Sequence, residues 1–158
     1  MKRLFSAAVA ILITVFSANA QVKIVSPHPD LEVKVTRCAC ANGTLIIDLL
    51  ITNYGETEDI NICANDVKLY DDEGNQYNSQ SNKILMGFPN QGLHTKENCV
   101  GPSYELPQDV PLKYRFQIDG VKSSASKIVL FSAGFHSREA LSLDSKKPLQ
   151  IRNLEWVK

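Results

Sequence analysis

The sequence predicts an all-β fold: a two-sheet antiparallel sandwich of about seven to nine strands around one core. Three observations carry this. Apolar residues recur with a period of two far more often than 3.6. Turn residues punctuate the chain roughly every eight to fifteen positions. No segment offers three turns of helical periodicity, and only Ser137 to Leu141 suits even a single turn.

The first twenty residues stand apart from this pattern. Lys2 and Arg3 form a basic start, Ala7 to Phe16 an apolar stretch, and Ala18-Asn19-Ala20 a small-residue cleavage signature. This is the grammar of a secretory signal peptide over 1–20, with Gln21 as the first mature residue. An apolar run of about ten residues falls short of the ~20 a membrane span needs, so no membrane insertion is expected after cleavage. No cysteine follows the cleavage site, which argues against a lipid anchor there. The expected address is the periplasm or the extracellular space.

In the mature chain Leu31, Val33 and Val35 alternate with polar neighbours, and Ala41-Asn42-Gly43 turns the chain into Thr44 to Asn53. There Leu45, Ile47, Leu49 and Ile51 share one face. Ile46 and Leu50 on the other face leave Asp48 as the polar residue at its middle, so the segment reads as a central strand. The parity of the first strand puts Cys38 and Cys40 on its polar face. That implies either a bulge near Thr36 to Cys38 or disulfides on the outer side of the sheet.

Ile60 to Cys63 and Val67 to Tyr70 read as further strand pieces. Asp71-Asp72-Glu73-Gly74-Asn75 forms a hairpin turn into Gln76 and Tyr77, with Gly74 free to take positive φ. Ile84 to Phe88 is a short apolar segment, and Pro89 to Tyr104 a polar connection that carries Cys99. Leu112, Tyr114, Phe116 and Ile118 then alternate cleanly with Lys113, Arg115, Gln117 and Asp119. Lys127 to Phe131 and Leu149 to Trp156 complete the set.

Several of these segments together resemble a known family. Ile51-Thr52-Asn53, the DDEGNQY hairpin at 71–77, LPQDVPLKYRF at 106–116 and the closing IRNLEW at 151–156 are similar to bacterial telokin-like, immunoglobulin-type domains of secreted and envelope proteins. The resemblance covers nearly all of 31–156. It implies an immunoglobulin-like sandwich filling 21–158, and it names no ligand.

Export changes how the four cysteines read, because disulfides persist in oxidising compartments. Two disulfides are expected among Cys38, Cys40, Cys63 and Cys99. Cys38 and Cys40, at i and i+2 on a strand, are poorly placed to bond each other. The pairing is then Cys38 with Cys99 and Cys40 with Cys63, or Cys38 with Cys63 and Cys40 with Cys99. A zinc or copper thiolate site is the competing reading, weakened by the lack of a C-x-x-C pair.

Chemistry beyond this is sparse. The chain carries 17 basic and 17 acidic residues, so no net positive field recruits nucleic acid. Removing Lys2 and Arg3 leaves a mild mature charge of about −2, suited to solubility. Catalytic and phosphate-binding motifs are absent, and His28, His94 and His136 are far apart in sequence, so no enzyme, metal or cofactor is expected. The acidic hairpin lacks the alternating spacing of a calcium loop, and Asn42-Gly43-Thr44, formally a glycosylation sequon, reads more simply as a turn. Aromatics are the remaining lever. Tyr54, Tyr77 and Tyr104 sit at loop or strand ends, where they can grip a glycan, a small ligand or a peptide. The sequence therefore supports a monomeric, non-enzymatic interaction module that binds an envelope or extracellular protein, with a glycan or small-ligand binder as the alternative.

Overall fold

The computed structural model describes residues 21–95, 103–137 and 147–158. The expected signal peptide at 1–20, Cys99 and residues 138–141 of the expected helical turn lie outside them, while Ser137 ends a strand. Twelve strands follow in chain order: β1 (Lys23–Val25), β2 (Leu31–Ala41), β3 (Thr44–Asn53), β4 (Glu58–Ile62), β5 (Lys68–Asp71), β6 (Gln76–Asn78), β7 (Ile84–Gly87), β8 (Tyr104–Leu106), β9 (Leu112–Asp119), β10 (Lys127–Ala133), β11 (Phe135–Ser137) and β12 (Leu149–Glu155). The fold is all-β. The count exceeds the expected seven to nine because β1, β6, β8 and β11 are three-residue strands, too short for alternation to register in the sequence.

Among the described residues these strands pair antiparallel with one another, and two isolated parallel bridges join Ala39 to Val157 and Asn53 to Gln108. A five-stranded sheet runs β1-β12-β10-β5-β6, a four-stranded sheet β2-β3-β9-β7, and a three-stranded sheet β11-β4-β8. The first two face each other through edge-to-face contact of Phe116 on β9 with Phe131 on β10, ring centroids 4.9 Å apart. The inward residues of β3 (Leu45, Ile47, Leu49 and Ile51) are wholly buried, as the sequence pattern requires. Each such side chain contributes ~1.5–3 kcal/mol relative to exposure.

The polar faces are tied in the same way. Asp48, at the middle of the outer face of β3, takes a bidentate pair from Arg115 on β9, with Nε–Oδ1 2.6 Å and Nη2–Oδ2 2.8 Å. The β2–β3 turn places Asn42 at φ 51° and Gly43 at φ 76°. Two successive positive φ values are what the tight hairpin turn matching strand twist requires.

Strand β2 resolves the parity conflict. Val35 pairs with Leu49 and Arg37 with Asp48, so Thr36 is an extra residue and the register shifts there. After this bulge Cys38 lies opposite Ile47 and Cys40 opposite Leu45. Both cysteines therefore share the core side with Leu31 and Val33, and the bulge, one of the two expected solutions, is the one adopted.

Candidate functional site

The cysteines depart from expectation. Cys38 and Cys40 are both free thiols, so neither of the two expected pairings forms. Cys63, which follows β4, is disulfide-bonded, and its partner is neither of these. The physical reason is placement. The bulge turns Cys38 and Cys40 inward against β3. Their backbones are then closed off by the C-terminal segment, where Cys40 N–H donates to the Val157 carbonyl at 2.9 Å and Val157 N–H to the Cys38 carbonyl at 3.1 Å. Burial pushes the Cys38 thiol up to about 12, with nearby Cys40 adding to the effect. Burial also raises Cys40, partly opposed by the Lys158 ammonium. Thiols held this firmly in the protonated form are poor nucleophiles.

The three tyrosines separate widely in role. Tyr77 is corrected from ligand contact to structural anchor. It is buried, its hydroxyl donates to Asp71 Oδ2 at 2.7 Å and accepts from the Lys122 N–H at 3.2 Å. Burial pushes its hydroxyl up to about 12, opposed by the Lys122 bond and reinforced by Asp71. Asp71 itself is turned inward and receives the N–H groups of Glu73 and Asn75, the Asn75 side-chain amide and Tyr77. That is turn architecture, and it points the first carboxylate of the acidic run away from solvent. Tyr54 is exposed, with its hydroxyl donating to Glu32 Oε2 at 3.0 Å.

Tyr104 lines a cleft of about 720 Å³. One wall is Phe88 with the 3₁₀ turn Pro89–Gln91 that ends β7, the second is Ser103 to Glu105 and Pro107 around β8, and the third is Pro111 to Lys113 at the start of β9. The cleft thus sits where the edge strand of the three-stranded sheet approaches the β7–β9 edge of the four-stranded one. Phe88 and Tyr104 meet edge-to-face at 4.8 Å, and Phe88 packs on Tyr114 at 5.1 Å. On its other side Tyr104 stacks with His94, centroids 5.6 Å apart, and its hydroxyl lies 2.6 Å from His94 Nε2. These contacts fix the ring before any ligand arrives, which lowers the ordering cost of binding. The lining mixes Phe88, Tyr104, Leu112 and three prolines with the polar groups Asn90, Gln91, Ser103, Glu105 and Lys113.

Sequence reasoning found Tyr104 and missed its companions. Phe88 reads as the end of an apolar segment and Leu112 as the start of a strand, and nothing local says that the two line one cleft. His94, expected in a solvated loop, instead forms a backbone bridge with Met86, N–H to carbonyl in both directions at 3.0 and 2.9 Å. The bridge lies along β7, on the side away from β9. His136 pairs with Asp66 at 2.7 Å, and His28 Nδ1 accepts from the Asp30 N–H at 3.2 Å. Each of the three histidines therefore has its own partner.

Comparison with known proteins gives no match, whether to family models, curated proteins or solved structures. Among the described residues no helix is long and apolar enough to cross a membrane.

Proposed function

We propose that the protein is an exported, non-enzymatic binding module of immunoglobulin-like architecture, which holds an extended segment of an envelope or extracellular protein in the Tyr104 cleft. The observation that carries this reading is the preset aromatic pair Phe88–Tyr104 in the lining of a cleft that also holds three prolines. One wall of that cleft is β8, which among the described residues is an edge strand paired with β4. An extended peptide laid along β8 gains main-chain hydrogen bonds from the edge and side-chain contacts from the aromatics, a combination that recurs in peptide recognition. Glu105 and Lys113 then offer opposite charges to its polar groups.

A glycan is the second reading, because a fixed tyrosine face ringed by Asn90, Gln91 and Glu105 also suits a sugar ring. Selection from a displayed random-peptide library, run beside a glycan array, decides between them. The protein reading expects selected peptides to lose at least tenfold in affinity when the exposed Asn90 is replaced (Asn90→Trp) to fill the cleft. Peptides that bind this variant unchanged refute the cleft as the site. Sugars that bind where no peptide does replace the protein reading with the glycan one.

A further inference from the structure

A second cluster lies outside the Tyr104 cleft. Cys63 leaves β4 and opens the 3₁₀ turn Ala64–Asp66, and β11 runs beside β4 with His136 opposite Asn61. This brings Cys63, Asp66 and His136 together, with one sulfur, one carboxylate oxygen and one ring nitrogen all within 4.8 Å of one another. Two features show that the arrangement is built. The Asp66 carboxylate lies 2.7 Å from His136 Nε2. Gly134, at the junction of β10 and β11, leaves no room for a side chain, since a Cβ there would come within 2.9 Å of Asp66 Cβ. The sulfur is buried, while the Asp66 and His136 side chains are 40% and 31% exposed, so the cluster opens to solvent on its carboxylate–imidazole side.

A thiolate, an imidazole and a carboxylate form a donor set of the kind that takes Zn²⁺ or Co²⁺. Tetrahedral bonds of ~2.0–2.3 Å separate donors by roughly 3.4–3.6 Å, so the Asp66 and His136 donors, 2.7 Å apart, must part to admit the ion, and the sulfur, within 4.8 Å of both, must close in; three of four positions are then filled and the fourth is left to water. The disulfide at Cys63 blocks this, because a half-cystine sulfur has no thiolate to give.

We propose that reduction of the Cys63 disulfide opens a zinc-class metal site made of Cys63, Asp66 and His136. A dithiol or phosphine reductant supplies two electrons, the S–S bond breaks, and two protons complete the two thiols. The Cys63 thiol then loses its proton to solvent as its sulfur bonds the ion, with neutral His136 and ionised Asp66 as the other ligands. This inference is independent of the Tyr104 cleft.

Co²⁺ is the probe, because thiolate ligation gives it a sulfur-to-metal charge-transfer band. Purified protein is titrated with Co²⁺ with and without prior reduction by a phosphine, and Zn²⁺ is added last to displace the colour. The expected result is one Co²⁺ bound per reduced chain, at least tenfold weaker binding by the oxidised chain, and bleaching by Zn²⁺. His136→Ala and the more conservative His136→Gln should each weaken binding at least tenfold, whereas the double variant Cys38→Ala with Cys40→Ala should leave it unchanged. Four results overturn the proposal. They are a reduced chain that takes up no metal, oxidised and reduced chains that bind alike, binding that survives both His136 substitutions, and binding that disappears with Cys38 and Cys40.

Discussion

Asp71 is the residue whose loss should cost the hairpin most. Its carboxylate is almost wholly buried and accepts four hydrogen bonds, from Glu73 N–H at 3.0 Å, Asn75 N–H at 2.8 Å, Asn75 Nδ2 at 2.8 Å and the Tyr77 hydroxyl at 2.7 Å. In Asp71→Ala the two turn amides recover water and lose little. The Tyr77 hydroxyl is different, because it is buried and left without its acceptor. Bonds to a charged group are worth ~1.5–3 kcal/mol each and do not add, and an orphaned buried hydroxyl costs ~1–3 kcal/mol, so a total of about 3 kcal/mol is expected. For a domain of this size that lowers the thermal midpoint by roughly 10 °C. In a Tyr77→Phe background the same substitution should cost about 1 kcal/mol less, because the shared bond is already gone.

The pH dependence gives a second handle on the same residue. Burial alone would raise the Asp71 pKa, but the bonds from Asn75, Tyr77 and Glu73 outweigh it and hold the group below its ordinary value. A carboxyl depressed in the folded state stabilises fully above its unfolded pKa of about 4, and the contribution fades as pH falls through the lower folded value. Asp72 is depressed too, chiefly by the Ser126 hydroxyl, and comparing wild type with Asp71→Asn subtracts its effect. Thermal melts followed by circular dichroism from pH 7 down to about pH 2.5 should show the gap between these two proteins narrowing only below about pH 4. A midpoint change under about 2 °C for Asp71→Ala, or a gap that is constant with pH, would refute the reasoning.

Three further predictions rest on other parts of the fold. Thr36→Ala removes only a 3.2 Å bond to the Asp48 carbonyl and should cost under about 1 kcal/mol by denaturant titration. Deleting Thr36 removes the extra residue and makes Val35 and Arg37 consecutive in the ladder, so Cys38 and Cys40 keep their places opposite Ile47 and Leu45 and the cooperative transition should survive. Native protein at pH 8 should react slowly with a thiol reagent at Cys38, and at least two thiols per chain should titrate once denaturant exposes Cys38 and Cys40; a chain with none would restore the two-disulfide expectation. Tyr114 buries its hydroxyl with no hydrogen-bond partner among the described residues. Tyr114→Phe should therefore hold or raise stability, by up to ~1–3 kcal/mol in the same melts, and a loss would show that the hydroxyl is satisfied.

The sequence is most legible where one face is buried and the strand is long. β3 and β9 are readable residue by residue because alternation over eight or more positions admits one register. The DDEGNQY hairpin is readable from turn chemistry, although its internal bonds are not: the DDEGNQY run does not reveal that Asp71, and neither Asp72 nor Glu73, turns inward to meet Tyr77. The bulge at Thr36 was one of two solutions to a conflict visible in the sequence, and only the register chose between them. The cysteine pairing is not legible in the sequence, because it depends on distances across sheets, which local pattern does not encode. Tyr54, Tyr77 and Tyr104 carry the same local signal, yet one is exposed, one buried and one in a cleft. Their fates are set by which strands neighbour them, as is the convergence of Phe88 and Leu112 on one cleft.

The five-stranded sheet carries a consequence for how the molecule comes into being. Its order places β12, near the end of the chain, between β1 and β10, so that Ile24 near the start pairs with Ile151. Until residues 149–155 have been made, β1 has no neighbour and β10 has one bare edge. Bringing such distant segments together is entropically slow, and it exposes unpaired strands while it lasts. Assembly of this layer is therefore a closing event, in which residues 149–155 must be present before β1 can take its place.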